Sequence, residues 1–156
     1  MILSDSVSID APPEAVFGFF DKLVRVYLDW HPDHILFSWE QGYNLRVGNV
    51  FYFQERIGGK LMKKRVMLTR VERPTLVEFA PTFWPMRVLL PRMLFRVEPQ
   101  GNASMVTAEI HLRVGPLIAR LNRREFDAVR EHMRLEGVNM KRIVETAPAL
   151  SHGATN

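Results

Sequence analysis

Cysteine is absent from the sequence. That excludes a disulfide framework, a thiolate metal site and a cysteine nucleophile. No apolar run is long enough to span a bilayer. The N-terminus, Met1-Ile2-Leu3-Ser4-Asp5, lacks the basic region and apolar core of a secretory signal. A cytoplasmic protein without a membrane partner is therefore expected. Internal repeats, a linker and a nucleic-acid-binding motif are missing too. The net charge of +4 and a pI near 9.8 permit an acidic partner. The basic residues are scattered, however, with small clusters only at Lys63-Lys64-Arg65 and Arg123-Arg124. They read as a solvated surface, and no nucleic-acid partner is expected. What is present is balanced: 156 residues, 47% hydrophobic and 24% charged. That predicts one domain over residues 1–147 with a real core, and a small, polar, flexible tail over 148–156.

Periodicity orders the elements. Ser6-Val7-Ser8-Ile9 alternates as a strand. Asp10-Ala11-Pro12-Pro13-Glu14 suits a helix start, with Asp10 as a candidate cap. Ala15 to Phe20 supplies an apolar helical face. A second short helix, about Lys22 to Leu28, must end near Trp30-His31-Pro32, because the residue before proline disfavours the α region. Ile35 to Trp39, Val50 to Ile57, Lys60 to Glu72 and Leu76 to Ala80 read as strands, with Gly58-Gly59 as a hairpin turn. Pro81 to Pro91 is apolar and proline-rich. It suits a cavity mouth or lid around Trp84, and equally a loop that covers the core. Arg92 to Glu98 and Ser104 to Val114 form a last hairpin, with His111 on its solvent side. A long helix, roughly Leu117 to Ala147, closes the chain. Strands followed by one long helix predict an α+β fold with the helix packed on one sheet face.

Three stretches break the apolar pattern. On the last helix, Phe126, Val129, Met133, Gly137, Met140 and Val144 share one stripe. Glu136 points into it, and His132 lies one turn away on the same side. A carboxylate among core positions is costly unless paired. An arginine partner or a metal shared with His132 would each solve this. On the strand Val50 to Ile57, Glu55 shares its face with Phe51, Phe53 and Ile57, another carboxylate where core is expected. Trp30-His31-Pro32-Asp33-His34 places two histidines at a helix–strand junction, where loops often carry function. Each stretch alone also has an ordinary reading: a surface pair, a buried ion pair, a polar turn.

The element order, together with Val7-Ser8-Ile9-Asp10-Ala11-Pro12-Pro13-Glu14-Ala15-Val16-Phe17, the strand after Gly48 and the closing helix, resembles the START/Bet v 1-like (SRPBCC) superfamily over nearly the whole chain. That resemblance implies a helix-grip fold: a curved antiparallel sheet wrapped around the C-terminal helix, with an internal cavity. The three anomalous stretches resemble the site pattern of the diacetylphloroglucinol and phloretin hydrolases. These enzymes hold a catalytic zinc with two histidines and two glutamates, and cleave a carbon–carbon bond next to an aryl ketone. The match implies His31, Glu55, His132 and Glu136 as ligands and His34 as a substrate or proton-transfer residue beside them, although either His31 or His34 can ligate. Those enzymes also carry an additional N-terminal region of which almost none stands here.

The residue types agree with that implication. Two neutral histidines and two carboxylates suit Zn²⁺ best, with Mn²⁺ and Fe²⁺ as alternatives. The expected function is hydrolysis of an acylphenol or polyketide-like ketone, with His34 and Glu136 catalytic. Tyr27, Trp30, Phe51, Phe53, Trp84, Met133 and Met140 are expected to contact a hydrophobic or aromatic small molecule. Two rival functions fit the same fold: a carrier for a lipid, aromatic or polyketide, and a metal-free cyclase or dehydratase.

Overall fold

The structure is a computed structural model, described over residues 1–147. The expected tail, 148–156, lies outside the described residues. The chain opens with β1 (Ile2–Ile9), α1 (Pro13–Asp21) and α2 (Leu23–Trp30). Pro12 stands at the N-cap of α1, and a proline occupies its first turn, where the missing N–H costs nothing. Asp10 does not cap this helix. Its backbone N–H donates instead to Glu145 Oε1 at 2.7 Å, tying the end of β1 to the far end of the chain. The second helix stops where Pro32 requires: His31 is extended, with φ −151° and ψ 137°.

Six further strands follow. They are β2 (His34–Gln41), β3 (Val50–Ile57), β4 (Lys60–Glu72), β5 (Leu76–Pro81), β6 (Arg92–Gln100) and β7 (Ala103–His111). With β1 they form one antiparallel sheet in the order β1-β7-β6-β5-β4-β3-β2. Gly58 and Gly59 both take positive φ, as a two-residue hairpin between β3 and β4 demands. The Pro81–Pro91 stretch contains a short helix, α3 (Trp84–Leu89), with proline in its first turn.

The closing helix is not continuous from Leu117. It divides into α4 (Pro116–Leu121) and α5 (Arg123–Thr146). Asn122 leaves helical geometry at φ −104° and ψ 25°, and its side chain donates to the Ile118 carbonyl at 2.9 Å. Such a local side-chain bond competes with helix continuation, which a reading of apolar spacing does not register.

α5 lies in the concave face of the sheet and packs most closely on β1. The core between them and α1 is aromatic. Phe20 meets Phe95 with ring centroids 5.0 Å apart, and Trp30 meets Phe95 at 5.6 Å. Gly137 lets α5 approach β1 closely: a Cβ there would stand 3.3 Å from Asp5 Oδ2 and 3.5 Å from Val7 Cγ1. This close seat fixes the rotation of α5, and hence the aim of Glu136 beside it. Gly137→Val should therefore force the helix outward. We expect a loss of roughly 1–3 kcal/mol and a clear fall in thermal midpoint, whereas Gly137→Ala, helped by its helix propensity, should be close to neutral. Thermal denaturation of both variants checks this, and an unchanged midpoint for Gly137→Val contradicts the close-packing account.

Candidate metal centre

Sheet parity and helix spacing bring the anomalous residues together. On β3, Phe51, Phe53 and Glu55 are buried on the inner face, and Glu55 is only 5% exposed. β2 starts at His34, one residue earlier than the apolar run indicates. A register shift follows His34, which sits directly across from Glu55. His34 therefore points inward, while Ile35 and Leu36 are exposed. From the opposite side, α5 presents His132 and Glu136 one turn apart.

The resulting cluster is His34, Glu55, His132 and Glu136, with one ligand-type atom from each lying within 4.8 Å of the others. His34 Nε2 is 2.9 Å from Glu136 Oε1 and 3.6 Å from Glu55 Oε2. His132 Nε2 is 3.3 Å from Glu55 Oε2 and 3.5 Å from Glu136 Oε1. His132 Nε2 is buried and, for all that proximity, makes no hydrogen bond of acceptable geometry. The carboxylates surround it at ion-pair distance without aligning on it. A buried nitrogen left in this position is what a shared cation would satisfy.

The surroundings orient the cluster. His34 Nδ1 lies 2.7 Å from the Tyr27 carbonyl, an acceptor only, so Nδ1 carries the hydrogen and Nε2 turns toward the carboxylates. Metal-ligating histidines are commonly oriented through the other ring nitrogen in this way. The Tyr27 ring stacks on His34 at 4.0 Å and 10°. Trp30 Nε1 donates to the Glu136 backbone carbonyl at 3.0 Å, which ties α2 to α5 at the level of the site.

His31 is placed differently. Its Nδ1 accepts the Asp33 N–H at 2.9 Å, and its ring stacks on His132 at 3.9 Å. In that tautomer its other nitrogen carries the hydrogen and offers no lone pair. Burial, and then the neighbouring His132 and His34, lower its pKa and keep it neutral. His31 also belongs to a second, looser group with Asp33 and His132, in which Asp33 is exposed. Of the two histidines, it is thus His34 that groups with Glu55, His132 and Glu136.

Lys64 was not singled out by sequence pattern, yet its Nζ donates to Glu55 Oε1 at 3.1 Å from a largely buried position. The signal was available. Lys64 has the same parity on β4 as the buried Val66 and Leu68, so it faces inward rather than belonging to a solvated cluster with Lys63 and Arg65.

The electrostatics follow from these contacts. Burial alone would raise the Glu55 carboxyl, but Lys64 and His132 hold it down at about 2. Burial likewise works against charge on His132, but Glu136 and Glu55 more than offset it and bring that ring up to about 9. Glu136 is held below its ordinary range, since His132 and His34 outweigh its burial. The Tyr27 phenol is pushed well up, first by burial and then by Glu55 and Glu136.

The cluster borders a cavity of about 610 Å³ between sheet and α5. Tyr27, Trp30, Phe51, Phe53 and Met133 line it, together with Glu55, Lys64, His132 and Glu136. Met140 and Trp84, expected to contact a ligand with them, do not line this cavity. Met140 is fully buried in the core one turn beyond Glu136, past the end of this cavity. Trp84 is 72% exposed on the outer side of α3, which turns Met86 and Leu89 inward instead. The Pro81–Pro91 stretch does form part of the cavity rim.

No protein-family model matches the sequence, and no curated protein matches it either. Solved structures do match. The KanY protein aligns with a TM-score of 0.73 at 17% identity, over 93% of this chain and 97% of that one. The di-domain ARO/CYC BexL from the BE-7585A biosynthetic pathway aligns with 0.69 at 17% identity, over 95% of this chain and 51% of its own. A Polyketide_cyc-like protein from Corynebacterium glutamicum aligns with 0.58 at 16% identity, over 99% and 96%. The fold is the α+β helix-grip fold of Bet v 1-like and polyketide cyclase-like proteins. Among the described residues no helix is long and apolar enough to cross a membrane.

The charge pattern makes a pH prediction for chelator-treated protein. A ring raised from 6.5 to about 9 contributes stability that is full below 6.5 and lost as pH rises through 9. A carboxyl lowered from 4.5 to about 2 contributes stability present above 4.5 and lost as pH falls through 2. From these two groups, stability should peak between about pH 4.5 and 6.5. The thermal midpoint should then decline toward pH 9, and His132→Asn should remove the alkaline decline. A wild-type profile that is flat from pH 6.5 to 9 would contradict the pairing described here.

Proposed function

We propose that the protein is a zinc-dependent hydrolase that cleaves the bond between an aromatic ring and its ketone carbon in an acylphenol or polyketide-like substrate. The observation that carries this reading is four ligand-type atoms gathered within 4.8 Å of one another, three of them, from Glu55, His132 and Glu136, belonging to residues on the wall of a mostly apolar cavity. His34, Glu55, His132 and Glu136 would hold the ion, His34 taking the place that family resemblance offers to His31. The donor set suits Zn²⁺, with Mn²⁺ and Fe²⁺ as alternatives. When bound, such an ion supplies Lewis acidity toward a ketone oxygen and acidifies water.

The chain's own residues supply the rest. Phe51, Phe53 and Tyr27 grip the aromatic ring and exclude bulk water. Glu136 takes a proton from water as its oxygen adds to the ketone carbon. The carbon–carbon bond to the ring then breaks, and its electron pair passes to the ring carbon. That carbon takes a proton, leaving a carboxylic acid and the deacylated arene. His34 is a poor donor for this last step, being enclosed by Tyr27 and turned onto the carboxylates. Lys64, on the cavity wall and within reach of Glu55, serves better.

A metal-free acid–base enzyme of the cyclase or dehydratase type is the second reading. One observation favours it: Lys64 and a protonated His132 balance Glu55 and Glu136 without any ion. A simple carrier has no comparable support, because a ligand-binding cavity gains nothing from two buried carboxylates.

Glu136→Gln separates these readings. It keeps side-chain size and removes the charge a metal needs. Wild-type protein purified without a histidine tag should contain about one zinc per chain by elemental analysis and hydrolyse an acylphenol. The variant should lose both while still binding a fluorescent aromatic probe. Metal-free wild type with turnover of a polyketide-like substrate would support the second reading. Metal-free, inactive wild type with tight probe binding in both proteins would leave only a carrier.

A further inference from the structure

Two short helices at the rim of the cavity carry their large apolar side chains outward. On and beside α3, Phe83 is 64% and Trp84 72% exposed; on α4, Leu117 is 69% and Leu121 75% exposed. The end of α3 meets the segment that leads into α4. The Arg113 N–H, two residues before Gly115, donates to the Leu89 carbonyl at the end of α3, at 2.8 Å. Met86 and Leu89 on one side, and Val114 and Arg124 on the other, line the same cavity. Exposed tryptophan, phenylalanine and leucine on the two helices beside a cavity mouth offer an apolar contact surface.

The charge carried by these two segments has one sign, although Glu109 and Glu125 line the cavity beside them. Phe83–Pro91 and Leu112–Arg124 contain no aspartate or glutamate, yet carry Arg87, Arg113, Arg120, Arg123 and Arg124. Among the described residues, only Arg123 of these five has a carboxylate within ion-pair reach, at 3.7 Å from Asp127. Five arginines free of acidic neighbours within their own segments therefore coincide with the protruding apolar side chains.

We propose that this rim docks on the surface of an anionic membrane. Trp84, Phe83, Leu117 and Leu121 enter the headgroup–acyl boundary, and the arginines meet lipid phosphates. The chemistry favours lipid over an acidic protein. A protein partner's helix needs a groove to lie in, whereas these side chains project from two convex helices, a shape that a deformable bilayer accommodates. The contact is interfacial and requires no spanning helix. Its consequence is that the cavity mouth faces lipid, so a water-insoluble ligand passes between bilayer and cavity without crossing bulk water. This inference does not depend on the hydrolase reading, because it concerns the rim and not the metal cluster.

The test is cosedimentation of the full chain with vesicles of phosphatidylcholine alone and of phosphatidylcholine mixed with phosphatidylglycerol. Wild type should partition onto the anionic vesicles, weakly or not at all onto the neutral ones, and should be released by high salt. Two double variants probe the two components: Trp84→Ser with Leu121→Ser, and Arg87→Glu with Arg120→Glu. All four positions are exposed, so a thermal midpoint close to wild type verifies the fold of each. Each should reduce partitioning by about tenfold or more. Failure of wild type to bind anionic vesicles overturns the proposal, as does undiminished binding by either variant. If wild type ignores vesicles but self-associates, and Trp84→Ser with Leu121→Ser abolishes that, the face belongs to a second copy and the membrane proposal is likewise overturned.

Discussion

Two carboxylates, Glu55 and Glu136, face one another inside a cavity whose walls are otherwise mostly apolar. Each would be expensive there alone, and together they repel. Everything around them is arranged to hold this negative charge. His34 and His132 stand between them, Lys64 closes the outer side of Glu55, and Tyr27 and Trp30 fix the histidine and the helix that complete the cluster. Replacing the four polar groups with apolar ones would cost a fold of this kind little and could stabilise it. Stability of the fold therefore does not account for their presence, and a function of the cluster does.

The fold makes this arrangement accessible to a small molecule. A sheet closed around one helix leaves space that side chains do not fill, and here the space ends at the cluster. α5 is seated on β1 by Gly137, adjacent in sequence to Glu136. The residue that sets the helix position is thus next to the residue whose aim matters most. Rigid elements supply all four cluster residues: two adjacent strands and one long helix. Such placement gives more precise geometry than loops can.

Three of the four cluster residues were legible from periodicity alone. Glu55 stood out because strand alternation assigned it to the face of Phe51 and Phe53. His132 and Glu136 stood out because helical spacing put them on the core side. Neither argument needs tertiary information. The fourth was not legible, since Trp30 to His34 is a junction without a period. Which imidazole turns inward depends on where α2 stops and on the register of β2 against β3, and both are settled by contacts distant in sequence. Lys64 was concealed for a different reason: three consecutive basic residues look like surface, although alternation requires that one of them face inward.

The other departures have equally local causes. Composition put Trp84 on the cavity, but a single helical turn in the Pro81–Pro91 stretch directs Met86 and Leu89 inward and Trp84 out. Met140 belongs to the apolar stripe of α5, but the stripe extends past the end of the cavity into solid core. Asn122 interrupts the closing helix through a side-chain bond that apolar spacing does not contain. The broad architecture needed only the order and period of its elements. The details that decide chemistry depended on register, caps and single side chains.

The central claim is that His34, Glu55, His132 and Glu136 form one metal site. Anomalous diffraction at the zinc edge from crystals of untagged protein tests it most directly. The account predicts one peak about 2.0–2.2 Å from His34 Nε2, His132 Nε2 and an oxygen of each glutamate. A peak bound by His31 and Asp33 instead, or no peak in crystals grown with zinc, would contradict it.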